Sequence, residues 1–334
     1  MSSEAWLMLS GLLQAGKVIP EEQRAAPGSL PLTVIGGFLG AGKTTLVNRL
    51  LAEPHGRRIA VLVNDFGRIN IDAALIRSRT ADTIELANGC ACCSVAGDLA
   101  RTIVELAQRE APPEAIVVEA SGLADPRGIV QVALANPALR LDGIVALVDA
   151  ETVLAQAADP SCGPMLRGQV ECADVIVLNK RDLVDVASAT AARGWLEAQA
   201  PGRAIIEARH GEVPVDVILG IKSARGVPAE PVAADHAAAF ESVSVTLADP
   251  LDRVRLREVL RSLPPGVVRV KGILCIADDA ARRTVYQRVG ARWSYVPEGP
   301  WEDGLRLSRL VAIALRGTLD AAYLKGRLEA CVAP

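Results

Sequence analysis

Ten residues, Gly36-Gly37-Phe38-Leu39-Gly40-Ala41-Gly42-Lys43-Thr44-Thr45, constrain the fold more than any other part of the chain. From Gly37 the spacing is G-x-x-x-x-G-K-T. Glycines in such a loop let the backbone curl, so that successive N–H groups point inward at phosphate oxygens. The apolar run at residues 32–35 suits a short buried strand, and residues 46–51 suit a helix. In that strand–loop–helix context the pattern cradles the phosphates of a nucleoside triphosphate, helped by the positive end of the helix. Gly37, Gly40, Ala41, Gly42 and Thr45 are expected to line the phosphates. Lys43 is expected to reach the β- and γ-phosphates, and the Thr44 hydroxyl to ligate Mg²⁺.

Further apolar runs follow at residues 59–63, 83–86, 116–118, 141–148, 175–178 and 204–206. Between them, residues 94–109 place Val95, Leu99, Ile103 and Leu106 at helical spacing. Strands that are apolar throughout and alternate with helices imply an α/β fold, a parallel sheet with helices on both faces. Residues 222–239, with Ser223, Gly226, Pro228 and Pro231, read as a linker. Beyond it come a strand at 240–247, a helix at 250–263, strands at 267–276, 283–289, 292–296 and 307–315, and a helix at 319–331. That succession predicts a smaller α+β domain with a mainly antiparallel sheet. The expected organisation is an N-terminal extension at 1–30, a nucleotide domain at 31–221, the linker, and the α+β domain at 240–334. A formal net charge of −3 argues against nucleic acid as the partner, and no apolar run approaches the length of a membrane span. Glu4, with no basic stretch, precedes Trp6 to Leu9, so no signal peptide is expected. Three of the seven cysteines fall within residues 90–93, a pattern of a reduced, cytoplasmic protein with a local metal or redox site.

The polar residues of interest sit just past strand ends, where open α/β sheets bind ligands. Asn179-Lys180-Arg181-Asp182 follows the strand at 175–178. The Asp182 carboxylate can accept from both N1–H and the exocyclic amine of guanine, a donor pair that adenine lacks. Asn179 would brace the loop and Lys180 would lay its stem along the base. Glu119 ends an apolar strand and precedes Ala120-Ser121-Gly122, a placement that faces Mg²⁺ and the γ-phosphate. Asp149, at another strand end, is the alternative for that role. Asp65 is a second carboxylate near Mg²⁺, set against an Asx turn in Asn64-Asp65-Phe66-Gly67. Lys43, Glu119 and Asp65 are therefore the candidate catalytic residues, with Thr44, Asp65 and Glu119 around Mg²⁺. Cys90, Cys92 and Cys93 can bind a soft or borderline ion such as Zn²⁺ or Cu(I), or form a disulfide switch. Three thiolates without a fourth ligand suit metal transfer better than storage. Cys162, Cys172, Cys275 and Cys331 stand alone and read as filler, and His210 is a candidate neighbour of the base.

Taken together, the phosphate loop, Val63-Asn64-Asp65-Phe66-Gly67, Gly89-Cys90-Ala91-Cys92-Cys93, residues 119–126 and Asn179-Lys180-Arg181-Asp182 resemble the CobW family of P-loop GTPases. Val270-Lys271-Gly272-Ile273-Leu274 and Gly299-Pro300-Trp301 resemble that family's second domain. The resemblance implies a cytoplasmic, Mg²⁺-dependent GTPase that hydrolyses GTP and delivers a metal to a client metalloprotein. Zinc is the commonest cargo and cobalt is linked to some members; a homodimer is the candidate assembly. The chain departs from the family where Asp65 replaces its usual Glu, where Ala120 replaces a frequent Thr, and in lacking a histidine-rich tract. A redox-sensing GTPase, and a P-loop enzyme acting on a small molecule, are the alternatives.

Overall fold

The computed structural model describes residues 22–53, 56–63, 83–85, 102, 105–106, 109–220, 239–301 and 306–333. The chain enters through a three-residue strand, β1 (Glu22–Arg24), and continues into β2 (Leu30–Gly37), which leads into the phosphate loop. β3 (Ile59–Val63), β4 (Thr83–Glu85), β5 (Ala115–Glu119), β6 (Leu139–Asp149), β7 (Val175–Asn179) and β8 (Ala204–Glu207) complete the first half. Seven of these strands form one sheet in the order β4-β3-β5-β2-β6-β7-β8, each neighbouring pair parallel. β3, β5 and β7 are buried at every position, as strands covered on both faces must be. Alternate residues go to opposite cores. Ile35, Val61, Val117 and Leu147 pack with Leu46 and Leu50 of helix α1 (Lys43–Ala52). Val34, Leu62 and Val118 meet Ile129 and Val130 of α2 (Arg127–Ala135). Val148, Ile176 and Leu178 pack beneath α3 (Val153–Ala158), α4 (Gly163–Glu171) and α5 (Val186–Gln199).

After α6 (Val215–Leu219) the second half adds β9 (Phe240–Leu247), β10 (Val267–Cys275), β11 (Arg282–Val289), β12 (Arg292–Pro300) and β13 (Ser308–Leu315), which with β1 make a six-stranded sheet. Its order is β1-β12-β11-β10-β13-β9, antiparallel except that β1 runs parallel to β12. One face packs against α7 (Arg253–Arg261) and α8 (Ala321–Glu329) through Leu256, Leu260, Leu324 and Leu328. Asp252 and Asp320 cap these helices by accepting from the amides of Arg255 and Tyr323. The other face contributes Val268, Val289, Val311 and Ile313 to the core that also holds α1 and α6. The two sheets therefore share one hydrophobic core. Among the described residues two buried ion pairs cross it: Arg269 Nη2 to Asp142 Oδ2 at 2.8 Å and Arg292 Nε to Asp174 Oδ2 at 2.9 Å. Arg269 also donates to the carbonyls of Val217 and Ile218, so its charge is shared by several acceptors, as a buried ion requires.

Two local differences from the sequence reading have simple causes. β12 runs to Pro300 rather than ending at Val296, because Pro300 pairs with Arg282 across a register shift in β11. The helix expected at 250–263 is shorter, since Asp252 caps it and the segment before it is held by a bridge from Leu251 to Ile276. The segment ahead of the phosphate-loop strand supplies β1, an edge strand of the second sheet. Residues 221–238, Asp65 and Cys90, Cys92 and Cys93 lie outside the described residues. Among the described residues no helix is long and apolar enough to cross a membrane.

Candidate nucleotide-binding site

β2 lies at the centre of the parallel sheet, between β5 and β6. The loops leaving the C-terminal ends of β2, β5, β6 and β7 therefore meet at one edge. Two glycines make the phosphate loop possible. Gly37 has φ +136°, and a Cβ there would lie 2.3 Å from the Leu147 carbonyl oxygen. Gly42 has φ +102°, and a Cβ there would lie 2.4 Å from Asn179 Nδ2. α1 starts at Lys43, directly after this left-handed residue. Lys43 is buried and its Nζ donates to the Gly37 and Phe38 carbonyls at 3.0 and 3.2 Å. Its ammonium is thus held over the loop in which phosphates would sit. Gly40 in the loop and Thr45 on α1 are exposed, and Ala41 is buried.

From the next strand, Glu119 reaches α1: Thr44 Oγ1 donates to Glu119 Oε1 at 2.9 Å, with the carboxylate buried. The donor set is a hydroxyl and a carboxylate, hard oxygens of the kind Mg²⁺ selects. Their spacing also fits, since neighbouring ligands of an octahedron with bonds of about 2.05 Å stand about 2.9 Å apart. Asp149 is placed differently. Its Oδ2 lies 2.7 Å from Lys180 Nζ and its Oδ1 accepts from the Glu151 amide. That engagement assigns Asp149 to the Lys180 side of the site and leaves the Thr44 hydroxyl to Glu119.

Asn179 joins the two sides. It is buried at the end of β7, donates through Nδ2 to the Ala41 carbonyl at 2.9 Å and accepts from the Gly211 amide at 3.0 Å. One side chain thereby ties the phosphate loop to the loop after β8. Lys180 follows with φ +59°, turning the chain into the short 3₁₀ segment Arg181–Leu183 that presents Asp182. Asp182 is part-exposed, with His210 Nε2 3.8 Å from its carboxylate. The structure therefore brings Lys43, Thr44, Glu119, Asn179, Lys180 and Asp182 to one sheet edge. Cys172, Cys275 and Cys331 are buried, and burial pushes the Cys172 thiol up to about 12.

Two contributors escaped the sequence reading. Gln169, buried on α4, donates through Nε2 to the carbonyls of Gly122 and Ala124 and so anchors the loop after Glu119. Its signal was a lone polar side chain between Leu166 and Val170 on a helix's inward face. Gly211 supplies a backbone donor to Asn179, and nothing in its residue type announces that. Among the described residues no group of three or more His, Cys, Asp or Glu side chains is placed to hold a metal ion.

A glycine-kinked loop between the central strand of a parallel sheet and a helix, with a hydroxyl–carboxylate pair beside it, defines a P-loop nucleoside triphosphatase fold. Comparison with known proteins narrows that class. Residues 31–207 match the family model described as CobW/HypB/UreG, nucleotide-binding domain. Residues 240–332 match the cobalamin synthesis protein cobW C-terminal domain. The chain belongs to the CobW family. It is 34% identical to the zinc chaperone CobW of Sinorhizobium sp, an alignment covering 92% of this chain and 99% of that one. It is 31% identical to the zinc chaperone YjiA of Escherichia coli (strain K12), covering 86% and 94%. The crystal structure of the Zn(II)-bound YjiA GTPase from E. coli aligns over 91% of this chain and 99% of that one, at 24% identity and a TM-score of 0.41.

Proposed function

We propose that this protein is a GTP-hydrolysing metallochaperone that binds a divalent metal at Cys90-x-Cys92-Cys93 and hands it to a client metalloprotein. The observation that carries the nucleotide half is the Asn179 side chain, bonded at once to Ala41 in the phosphate loop and to Gly211 beyond β8. It supports a site in which base and phosphates are read by one connected frame. Asp182 selects guanine by accepting its paired donors, and Lys180 lies along the ring. Lys43 moves from the loop carbonyls to the phosphates, which are stronger acceptors because they are charged. Thr44 and Glu119, joined by Asp65, would hold Mg²⁺, which supplies charge neutralisation on the β- and γ-phosphates. Glu119 orients the attacking water. Gln169 steadies the Gly122 loop from behind while the amide of that loop faces the γ-phosphate.

Zinc is the favoured cargo and cobalt the second. The metal half rests on relatives named zinc chaperones along most of this chain's length and on three thiolates in four positions. Thiolates of this kind belong in a reducing cytoplasm. The cysteines lie between β4 and β5 in sequence, so a γ-phosphate that reorders the loops around Asp65 and Gly122 also acts on them. Calorimetry with Zn²⁺ and Co²⁺ tests this, on wild type and on Cys92→Ser/Cys93→Ser, with and without a non-hydrolysable GTP analogue. The expected result is one site, lost in the double variant, whose affinity changes about 5- to 150-fold with nucleotide. A site of unchanged affinity in both nucleotide states would leave a metal-binding GTPase and end the chaperone mechanism.

A further inference from the structure

The second sheet carries a pocket on its α7 side, between that helix and β10, β11 and β12. Three of the side chains lining it hold buried polar atoms with no hydrogen-bond partner among the described residues: Thr284 Oγ1, Tyr286 Oη and Trp293 Nε1. These residues are only 4%, 3% and 8% exposed. The sheet register places them together. Thr284 and Tyr286 are two apart on β11, and Tyr286 pairs with Tyr295, which is two residues from Trp293 on β12. The rings of Tyr286 and Trp293 lie 5.8 Å apart, and those of Trp293 and Tyr295 stack at 5.9 Å. In a chain with three tyrosines and four tryptophans, this is a dense aromatic surface. Leu260 and Leu274 supply an apolar floor. On the rim, the Arg257 guanidinium lies 5.4 Å from the Trp293 ring centroid. Arg253 is already paired with Asp278 through two bonds of 2.8 Å.

The character of these groups selects the ligand. An indole N–H can only donate, and hydroxyls can donate. Burial raises the Tyr286 phenol, so it keeps its proton. A folded protein that leaves three donors buried and unpartnered is less stable than its apolar counterpart, and such groups call for an explanation. Donors beside aromatic faces and a cation suit acceptor oxygens bearing negative charge on an apolar body. We propose that the pocket between α7 and β10–β12 binds a carboxylate carried on a flat or aliphatic body, the oxygens meeting Tyr286, Trp293 and Thr284 and the body lying against the aromatic surface. A free organic acid and the terminal carboxylate of a peptide both carry that chemistry.

The test uses the full chain and phenylacetate, with benzyl alcohol as the uncharged match. A short blocked peptide ending in a phenylalanine carboxylate, and its amide, form the second arm. Binding is read by saturation-transfer NMR and tryptophan fluorescence. Saturable binding of phenylacetate but not benzyl alcohol is expected. Tighter binding of the peptide acid than of phenylacetate assigns the site to a chain terminus, and the reverse order to a small molecule. Tyr286→Phe should weaken phenylacetate about five- to tenfold, the equivalent of one hydrogen bond, while raising the melting temperature of the unliganded protein. Thr284→Val should act in the same two directions and serves where Tyr286→Phe folds poorly. No saturable binding of either acid overturns the proposal. So does undiminished binding in both variants. A lowered melting temperature in both, with affinity unchanged, shows that ordered water satisfies these groups, and overturns it as well.

Discussion

The C-terminal edge of the parallel sheet and the α7 side of the second sheet hold polar side chains in contrasting ways. At the C-terminal edge of the parallel sheet, polar side chains are bound to one another or to nearby backbone: Thr44 to Glu119, Lys180 to Asp149, Asn179 to Ala41 and Gly211. On the α7 side of the second sheet, the buried Thr284 Oγ1, Tyr286 Oη and Trp293 Nε1 have no hydrogen-bond partner among the described residues. The first arrangement is a preorganised frame: it holds its geometry before the ligand arrives, so little reorganisation is needed at binding. The second retains a stability cost that a ligand would remove. One chain thus contains a site built to be rigid beside a site whose groups gain their partners on occupancy.

The largest expected effect breaks the first region alone. Lys43→Ala removes the ammonium over the phosphate loop, and GTP affinity should fall by about 2–5 kcal/mol, the range for losing one partner of a buried charge pair. Equilibrium binding of a fluorescent GTP analogue measures it, and denaturant unfolding should show a much smaller change. A loss in stability as large as the loss in binding would mean that Lys43 holds the fold rather than the nucleotide.

The next effect falls on the seam between the regions. Asp142→Ala leaves the Arg269 guanidinium buried without its carboxylate, which should destabilise the protein by about 3–5 kcal/mol. Asp142 sits near the start of β6, at the opposite end of that strand from Asp149. Nucleotide affinity of the folded fraction should therefore stay within about threefold of wild type, an allowance of under 1 kcal/mol. Denaturant titration with two probes, one in each half, checks the coupling. Two separate transitions would refute the shared core.

The smallest effect is a pH dependence at the same seam. Burial first, and then the Arg140 charge, push the Lys271 ammonium down from 10.5 to about 8, with Asp142 opposing them and Arg57 and Arg269 adding to the push. The folded-state value lies below the unfolded one, so the unfolded chain binds more protons across that window. Stability contributed by Lys271 should therefore rise with pH from about 8 to 10.5. Cys172, whose thiol is raised by burial, works in the opposite direction, so the comparison must be wild type against Lys271→Met. Unfolding free energies across that range should show the wild type gaining on the variant as pH rises.

Much of the first region was legible because its signals are local. The phosphate loop, the strand-end Glu119 and the Asn179-Lys180-Arg181-Asp182 run each sit within a few residues of an apolar strand, and those strands appear where the apolar runs predict. What resisted reading was long-range. Gln169 reaches Gly122 across 47 positions, and Asp142 meets Arg269 across 127. Nothing in either residue's neighbourhood specifies its partner. The orphaned groups of the second sheet were invisible for a related reason. Tyr286 and Trp293 fit an ordinary buried strand pattern, and a missing partner becomes visible only once the whole surround is in place.

The strand β1 has a consequence for motion. It belongs to the second sheet, yet it is followed almost at once by β2 at the heart of the first, with residues 25–29 between them. Five extended residues span about 17 Å at most. The chain therefore straps the two sheets together on the β12 side, independently of the segment between α6 and β9. Any displacement of one sheet against the other is limited to a hinge about this strap or to the reach of its five residues. A wide swing would first have to peel β1 from the sheet edge.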